Sequence, residues 1–197
     1  MFAARAAFVL CLVSVGGSAP LGCEDLLRPL DQLDPVHLEG RRAMVAGSLS
    51  FPPYMERLRR GHSATSDFSR DARGNATYWR RSRLLGDRCH YASYNISLEG
   101  SSFTFDDGNV TTTFIRTSCH DCLLMSFDVE SGKRQHFYLF SRRRELVAEE
   151  LEEFRAQVEC LGMSPPAVMD PTKKLCPQET AGDRRHRDRR SDGRLNH

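Results

Sequence analysis

The sequence has one tryptophan, no glycine-rich phosphate-binding loop and no alternation of strand and helix patterns. The missing loop and the missing alternation argue against a nucleotide-binding α/β fold. No apolar run approaches the roughly 20 residues that a membrane-spanning helix needs; the longest, Ala6 to Val15, is about ten. Net charge is also nearly absent, with 28 Lys plus Arg against 26 Asp plus Glu over 197 residues. That balance conceals an uneven spread. Residues 1–18 contain only Arg5, residues 181–197 contain six Arg against three Asp, and residues 19–180 hold 21 bases against 23 acids. The central body therefore has no basic surplus and no sign of a nucleic-acid-binding surface. The seven histidines, at 37, 62, 90, 120, 136, 186 and 197, fall at no triad-like interval. What remains is 40% hydrophobic and 27% charged, the composition of one ordinary globular domain with a tail.

The chain opens with Arg5, continues with the apolar Ala6–Val15 and reaches the small residues Gly16, Gly17, Ser18 and Ala19. That order predicts a secretory signal over residues 1–18. Pro20 disfavours a cut after Ala19, which leaves cleavage after Ser18 or retention as a lipid-seeking anchor. Beyond Cys11 six cysteines remain, Cys23, Cys89, Cys119, Cys122, Cys160 and Cys176, an even number that suits an oxidising compartment. Their spacing alone does not choose among the pairings. Cys119-His-Asp-Cys122 is a CxxC, which serves a redox pair, half a zinc site, or a disulfide or two thiols flanking a tight turn. No second CxxC or HxxxH completes a metal site, and no helix start follows to depress a thiol pKa. A structural role is expected, with no metal and no cofactor. Three sequons at Asn75, Asn95 and Asn109 predict surface glycosylation of a secreted protein.

Between about residues 41 and 140 the chain reads as short strands rich in β-branched and aromatic residues. The expected strands are Arg42–Leu49, Ala64–Ser69, Thr77–Leu84, His90–Leu98, Ser101–Thr104, Val110–Arg116, Leu123–Val129 and Gln135–Phe140. Turn signals separate them, among them Pro52-Pro53, Leu85-Gly86-Asp87, Asp106-Asp107-Gly108-Asn109 and Glu130-Ser131-Gly132. About eight antiparallel strands is the number that closes a small barrel around one ligand. One helix is expected over Glu145–Leu161, where Val147, Leu151, Phe154, Val158 and Leu161 recur at steps of four and three. The fold class is all-β, an eight-stranded antiparallel up-and-down barrel with one C-terminal α-helix packed outside.

Side-chain parity suggests what faces inward. Phe137 to Phe140 is apolar on both faces, so one face looks into the barrel and the other lies under the helix. Met125, Phe127 and Val129 share the face expected to be interior, and Phe103 and Phe105 share one side of theirs. A glycan on Asn95 requires that side chain to point out, which turns Tyr94 and Ile96 inward.

Three stretches carry a family resemblance: Pro35-Val-His-Leu-Glu-Gly40-Arg-Arg-Ala-Met-Val-Ala-Gly47-Ser, Phe137-Tyr-Leu-Phe140, and Glu152-Glu-Phe-Arg-Ala-Gln-Val-Glu-Cys160-Leu. The chain resembles the lipocalins of the orosomucoid (alpha-1-acid glycoprotein) and apolipoprotein M group over nearly all of residues 19–180. The resemblance implies a calyx open at one end and two bridges, Cys23 with Cys160 and Cys89 with Cys176. Cys119 and Cys122 are then left to each other. One departure stands out. The family's Gly-x-Trp signature reads Gly40-Arg41-Arg42 here, and a buried guanidinium needs a carboxylate partner, so either the barrel floor is rebuilt or Arg42 points out and the floor is looser.

The resemblance also implies a pocket that includes Met44, Met125, Phe127, Tyr138 and Phe140, to which parity adds Tyr94, Phe103 and Phe105. A charged head group would need a base inside. Arg80, Arg81, Arg83 and Arg116 are the candidates, with solvated outward side chains the favoured reading. His136 stands where apolipoprotein M has an Arg, which questions a lysophospholipid specificity. The expected function is a secreted lipocalin that carries a small hydrophobic or amphipathic ligand, with a lipoprotein particle or a cell-surface receptor as further partners. An interaction glycoprotein with a vestigial cavity is the second reading, and a lipocalin-fold enzyme the third. Residues 181–197, basic and without an apolar core, are expected to form a disordered tail.

Overall fold

The computed structural model describes residues 22–71, 73–74 and 77–179. The predicted signal segment and basic tail lie outside them. Eight strands follow one another: β1 (Gly40–Leu49), β2 (Ser63–Arg70), β3 (Thr77–Leu85), β4 (Arg88–Ile96), β5 (Ser102–Phe105), β6 (Val110–Ile115), β7 (Cys122–Val129) and β8 (Arg134–Ser141). They pair in the order β4-β3-β2-β1-β8-β7-β6-β5. Every ladder is antiparallel. Among these eight, only β1 and β8 pair across a distance in sequence, so the sheet is an up-and-down meander rolled until β4 meets β5. At that seam side chains replace backbone pairing, and the rings of Tyr94 and Phe105 meet with centroids 4.8 Å apart. The observed strands begin and end within two residues of those expected from alternation.

The helix α4 (Ala148–Cys160) packs outside the barrel. It starts three residues later than its apolar period suggests, because Val147 keeps an extended backbone. The Glu150 side chain accepts a hydrogen bond from the Val147 N–H at 3.1 Å, which marks the first turn. Under the helix lie Val45, Leu124, Phe137 and Leu139, packed against Phe154 and Val158. On the same strands Met44, Leu123, Met125, Tyr138 and Phe140 belong to the inner core, so the two faces of β8 divide as its double apolar pattern requires. Gln157, also buried, donates to the carbonyls of Leu26 at 2.8 Å and Arg116 at 2.9 Å, tying the helix to the N-terminal segment and the end of β6.

Four elements were not anticipated: α1 (Cys23–Leu26), α2 (Pro35–Leu38), α3 (Pro52–Arg59) and the two-residue β9 (Ala167–Val168), which pairs with β1. Pro52-Pro53, expected to break structure, occupies the first turn of α3, where a missing N–H costs nothing and a fixed φ is preorganised for helix. Helix α3 buries Met55 and Leu58 against the barrel.

Of the two alternatives for Arg42, the floor is rebuilt around it, but without the expected carboxylate partner. The side chain is 1% exposed and has neither turned outward nor found a carboxylate as its chief partner. Its guanidinium donates instead to main-chain carbonyls: Leu38 at 2.9 Å, Asp121 at 3.1 Å, Glu39 at 3.4 Å, and His37. These come from α2 and from the CxxC loop, so the arginine laces two connections across the closed end. Burial, with nearby Arg142, pulls its pKa down to about 10, still charged at neutral pH. Beside it, burial alone would favour a neutral Asp121. Hydrogen bonds from Arg143 and Ser141 outweigh that and hold the carboxyl well below its usual range.

Three disulfides are formed: Cys23–Cys160 joins α1 to the end of α4, Cys89–Cys176 ties the C-terminal strap to β4, and Cys119–Cys122 closes the CxxC turn. Asp121 lies close to both sulfurs of that turn, but the sulfurs are bonded to each other and are not free to hold a metal. Among the described residues no helix is long and apolar enough to cross a membrane.

Candidate ligand-binding site

The barrel interior divides into a packed half and a hollow half. Near the closed end Phe68, Phe103 and Phe114 meet with centroids about 6 Å apart, and Trp79 caps them by edge contact with Phe103 at 5.3 Å. The indole N–H of Trp79 is satisfied by Ser66 Oγ at 2.9 Å. Above this layer opens a cavity of about 350 Å³. Its walls come from Met44 and Leu49 on β1, Trp79, Arg81 and Arg83 on β3, Phe127 on β7, and His136, Tyr138 and Phe140 on β8. Ala64 and Thr65 of β2, Ser82 and Leu85 of β3, and Tyr54, Arg57 and Leu58 of α3 with the following His62 complete it. Helix α3 is therefore part of the site.

Gly47 explains how Tyr138 lies flat against the β1 wall. A Cβ at this position would meet Tyr138 Cδ1 at 2.7 Å and Leu58 Cδ2 at 3.2 Å. The absent side chain is the space that the tyrosine ring and α3 use.

Of the residues expected around a ligand, Met44, Phe127, Tyr138 and Phe140 line the cavity. Tyr94, Phe103, Phe105 and Met125 also face inward but stand away from the cavity wall. Phe103 and Met125 are sealed in the packed core, and Tyr94 and Phe105 close the β4–β5 seam. Parity distinguishes inside from outside; it does not give height along the barrel axis. Asn95 and Asn109 are exposed, whereas Asn75 lies outside the described residues. Ile96, beside Asn95, is buried.

The four candidate arginines separate. Arg116 pairs with Asp31 at 3.0 Å on the surface, and Arg80 lies over the ring of Tyr78. Arg83 is an exposed member of the cavity wall. Arg81 points inward, against the favoured reading. Its guanidinium lies 5.3 Å from the ring centres of Trp79 and Tyr94 and 5.6 Å from that of Phe105, and it donates to Tyr94 Oη at 3.0 Å. Parity with Trp79, two residues earlier, is the signal that places it there.

Among the described residues no Asp or Glu belongs to the cavity wall. The field inside is consequently one-sided. Burial, followed by the charges of Arg134, Arg83 and Arg81, pushes the His136 imidazole down to about 4, so it is neutral at physiological pH. Burial pushes the Tyr138 hydroxyl up to about 12, and burial likewise lowers Arg81. The Nε2 atoms of His62 and His136 are buried with no hydrogen-bond partner among the described residues.

A concave chamber with apolar walls and a limited set of polar groups has the physical character of small-molecule sites. Solved structures with the same arrangement of strands and helix include lipocalin 12 from rat epididymis, at 16% identity and a TM-score of 0.62 over 77% of this chain and 93% of that one. A siderocalin, Ex-FABP, matches with a TM-score of 0.62 at 13% identity over 74% of this chain and 97% of that one. The fold is that of a lipocalin. In sequence the chain is similar to alpha-1-acid glycoprotein 8 of Mus caroli, 27% identical over 106 residues, which supports the orosomucoid-like resemblance. The chain spans about half the length of that curated relative. No protein-family model matches the chain.

Proposed function

We propose that this lipocalin is a secreted, glycosylated carrier that binds a small hydrophobic or amphipathic molecule in the chamber between the aromatic layer and α3. The observation that carries this reading is the cavity of about 350 Å³. That volume lies within the range of small-molecule sites, so the barrel is hollow enough to hold a ligand and is not filled to its rim. The siderocalin Ex-FABP functions through dual ligand specificities, and the likeness in fold makes ligand binding the natural use of this chamber.

Binding is favoured over catalysis here. All six cysteines of the described residues are in disulfides, so the free thiol nucleophile of a lipocalin-type enzyme has no candidate among them. Residues 1–18 act as the export signal in this reading, residues 19–180 form the lipocalin domain, and residues 181–197 form a separate basic tail. Extraction of the native protein into organic solvent, followed by mass spectrometry, tests it, together with quenching of Trp79 by lipophilic probes. Recovery of a stoichiometric small molecule, or saturable quenching, is expected; an empty extract and an unresponsive tryptophan would overturn the proposal.

A further inference from the structure

The chamber holds one feature that a purely greasy pocket does not need. A buried guanidinium is ordinarily matched by a carboxylate, because an isolated charge in an apolar setting loses its hydration without compensation. Arg81 has no such match among the described residues. Its hydrogen-bond partner there is the neutral Tyr94 hydroxyl, and three aromatic faces shelve it. Cation–π contacts hold the plane of the group but leave most of its five N–H donors unspent.

The other ionisable groups that share the wall with Arg81 are basic or neutral. Arg83 and Arg57 stand in the wall, and His62 and His136 each present a buried Nε2 without a partner among the described residues. Arg134, at the start of β8, donates to Tyr54 Oη at 3.3 Å and is paired with Glu130 outside the wall. No acid of the described residues enters the wall to neutralise Arg57, Arg81 and Arg83. The imidazole of His136 is held neutral chiefly by its burial and further by the nearby arginine charges.

We propose that the ligand carries an oxyanion head group, and that this group is received by the guanidinium of Arg81 with the orphan imidazole nitrogens of His62 and His136, its apolar body lying against Met44, Phe127 and Phe140. This rests on the carrier reading above. An anion restores the missing counter-charge, offers acceptors to the unspent guanidinium donors and satisfies the imidazoles through their Nε2–H tautomers. A cationic ligand would face three arginines, and a neutral one would leave them uncompensated.

Three ring systems of one size test the idea by calorimetric titration of the full-length secreted protein: naphthalene-2-carboxylate, naphthalene-2-methanol and 2-naphthylmethylammonium. The carboxylate is expected to bind at least tenfold more tightly than the alcohol, and the ammonium not at all. In Arg81→Met the carboxylate should lose that advantage while the alcohol stays within about threefold. Arg83→Gln, at an exposed position, should weaken only the carboxylate, and by less, which keeps the test valid if Arg81→Met fails to fold. Equal binding of carboxylate and alcohol by the wild type overturns the head-group proposal and leaves the carrier reading standing. Failure of the alcohol and the carboxylate alike overturns the carrier reading itself.

Discussion

Phe137 of β8 and Phe154 of α4 stack face to face, with ring centroids 5.5 Å apart and planes 4° from parallel. Both rings are 1% exposed. They form the centre of the contact through which the helix is attached to the barrel. Phe154→Ala should therefore cost about 3–5 kcal/mol, the range for deleting a buried aromatic ring. Phe154→Leu should cost less than half of that. Urea unfolding followed by circular dichroism separates the two, and equal midpoints for wild type and Phe154→Ala would contradict the packing described.

Arg42 should be hard to replace. Arg42→Met fills similar volume but leaves the buried carbonyl of Leu38 and the part-buried carbonyl of Asp121 without this donor, at a cost of about 2–4 kcal/mol. Arg42→Lys should recover little, because a single ammonium does not span carbonyls on two separate connections. Thermal melts of both variants check this; a melting temperature for Arg42→Met within a degree of wild type would refute it.

Acid should loosen the fold in two stages. His136 titrates near 4 in the folded chain and near its ordinary value of about 6.5 when unfolded. Between those values the unfolded chain binds the extra proton, so stability falls as pH drops through that window, by an amount on the order of 3 kcal/mol. Asp121 behaves as a depressed carboxylate, and its contribution is present above the unfolded carboxylate range and disappears below it. In His136→Leu the slope of stability between pH 6.5 and 4 should flatten while the steeper loss below pH 4 persists. Denaturant midpoints measured across pH provide the comparison.

Gly47→Ala should bring a methyl group onto the Tyr138 ring, at a position where a Cβ would lie 2.7 Å from Cδ1. The ring and α3 must give way, a form of overpacking that costs about 1–3 kcal/mol. Displacement of Tyr138 into the chamber should also weaken lipophilic probe binding. Unchanged stability together with unchanged probe affinity would show that the wall yields more easily than its geometry implies.

Asn95 and Asn109 lie exposed on the barrel and should both carry glycans when the protein is made by secreting cells. Asn95→Gln and Asn109→Gln should each remove one step of mass in a gel, and N-glycosidase should collapse the remainder. A band that does not respond to the enzyme would argue against modification at either site.

The barrel was readable from the chain because its strands alternate or run apolar with clear turns between them, and β8 announced its two covered faces through Phe137-Tyr-Leu-Phe140. Helix α3 was hidden by Pro52-Pro53, a pair that signals a turn in isolation and a helix start when an apolar floor lies beneath it. The site was legible in part for a related reason. Tyr138 and Phe140 share a face that any alternation count finds, whereas Arg81 sits between Arg80 and Arg83 in a run that reads as solvated. Its inward direction follows only from the register that also buries Trp79. His62 lies in a connection, where no period exists to indicate direction.

The lacing of Arg42 also limits how such a chain can change. A single exchange of Arg42 for the tryptophan of the Gly-x-Trp signature would strand the carbonyls of α2 and of the CxxC loop at once. Those loops would have to be remodelled in the same step for the indole to be accommodated. Any lineage that has adopted this arginine floor is thus held there by its own connections. A reversal at position 42 alone would meet a barrier, while substitutions in the wall above remain open to drift toward new ligands.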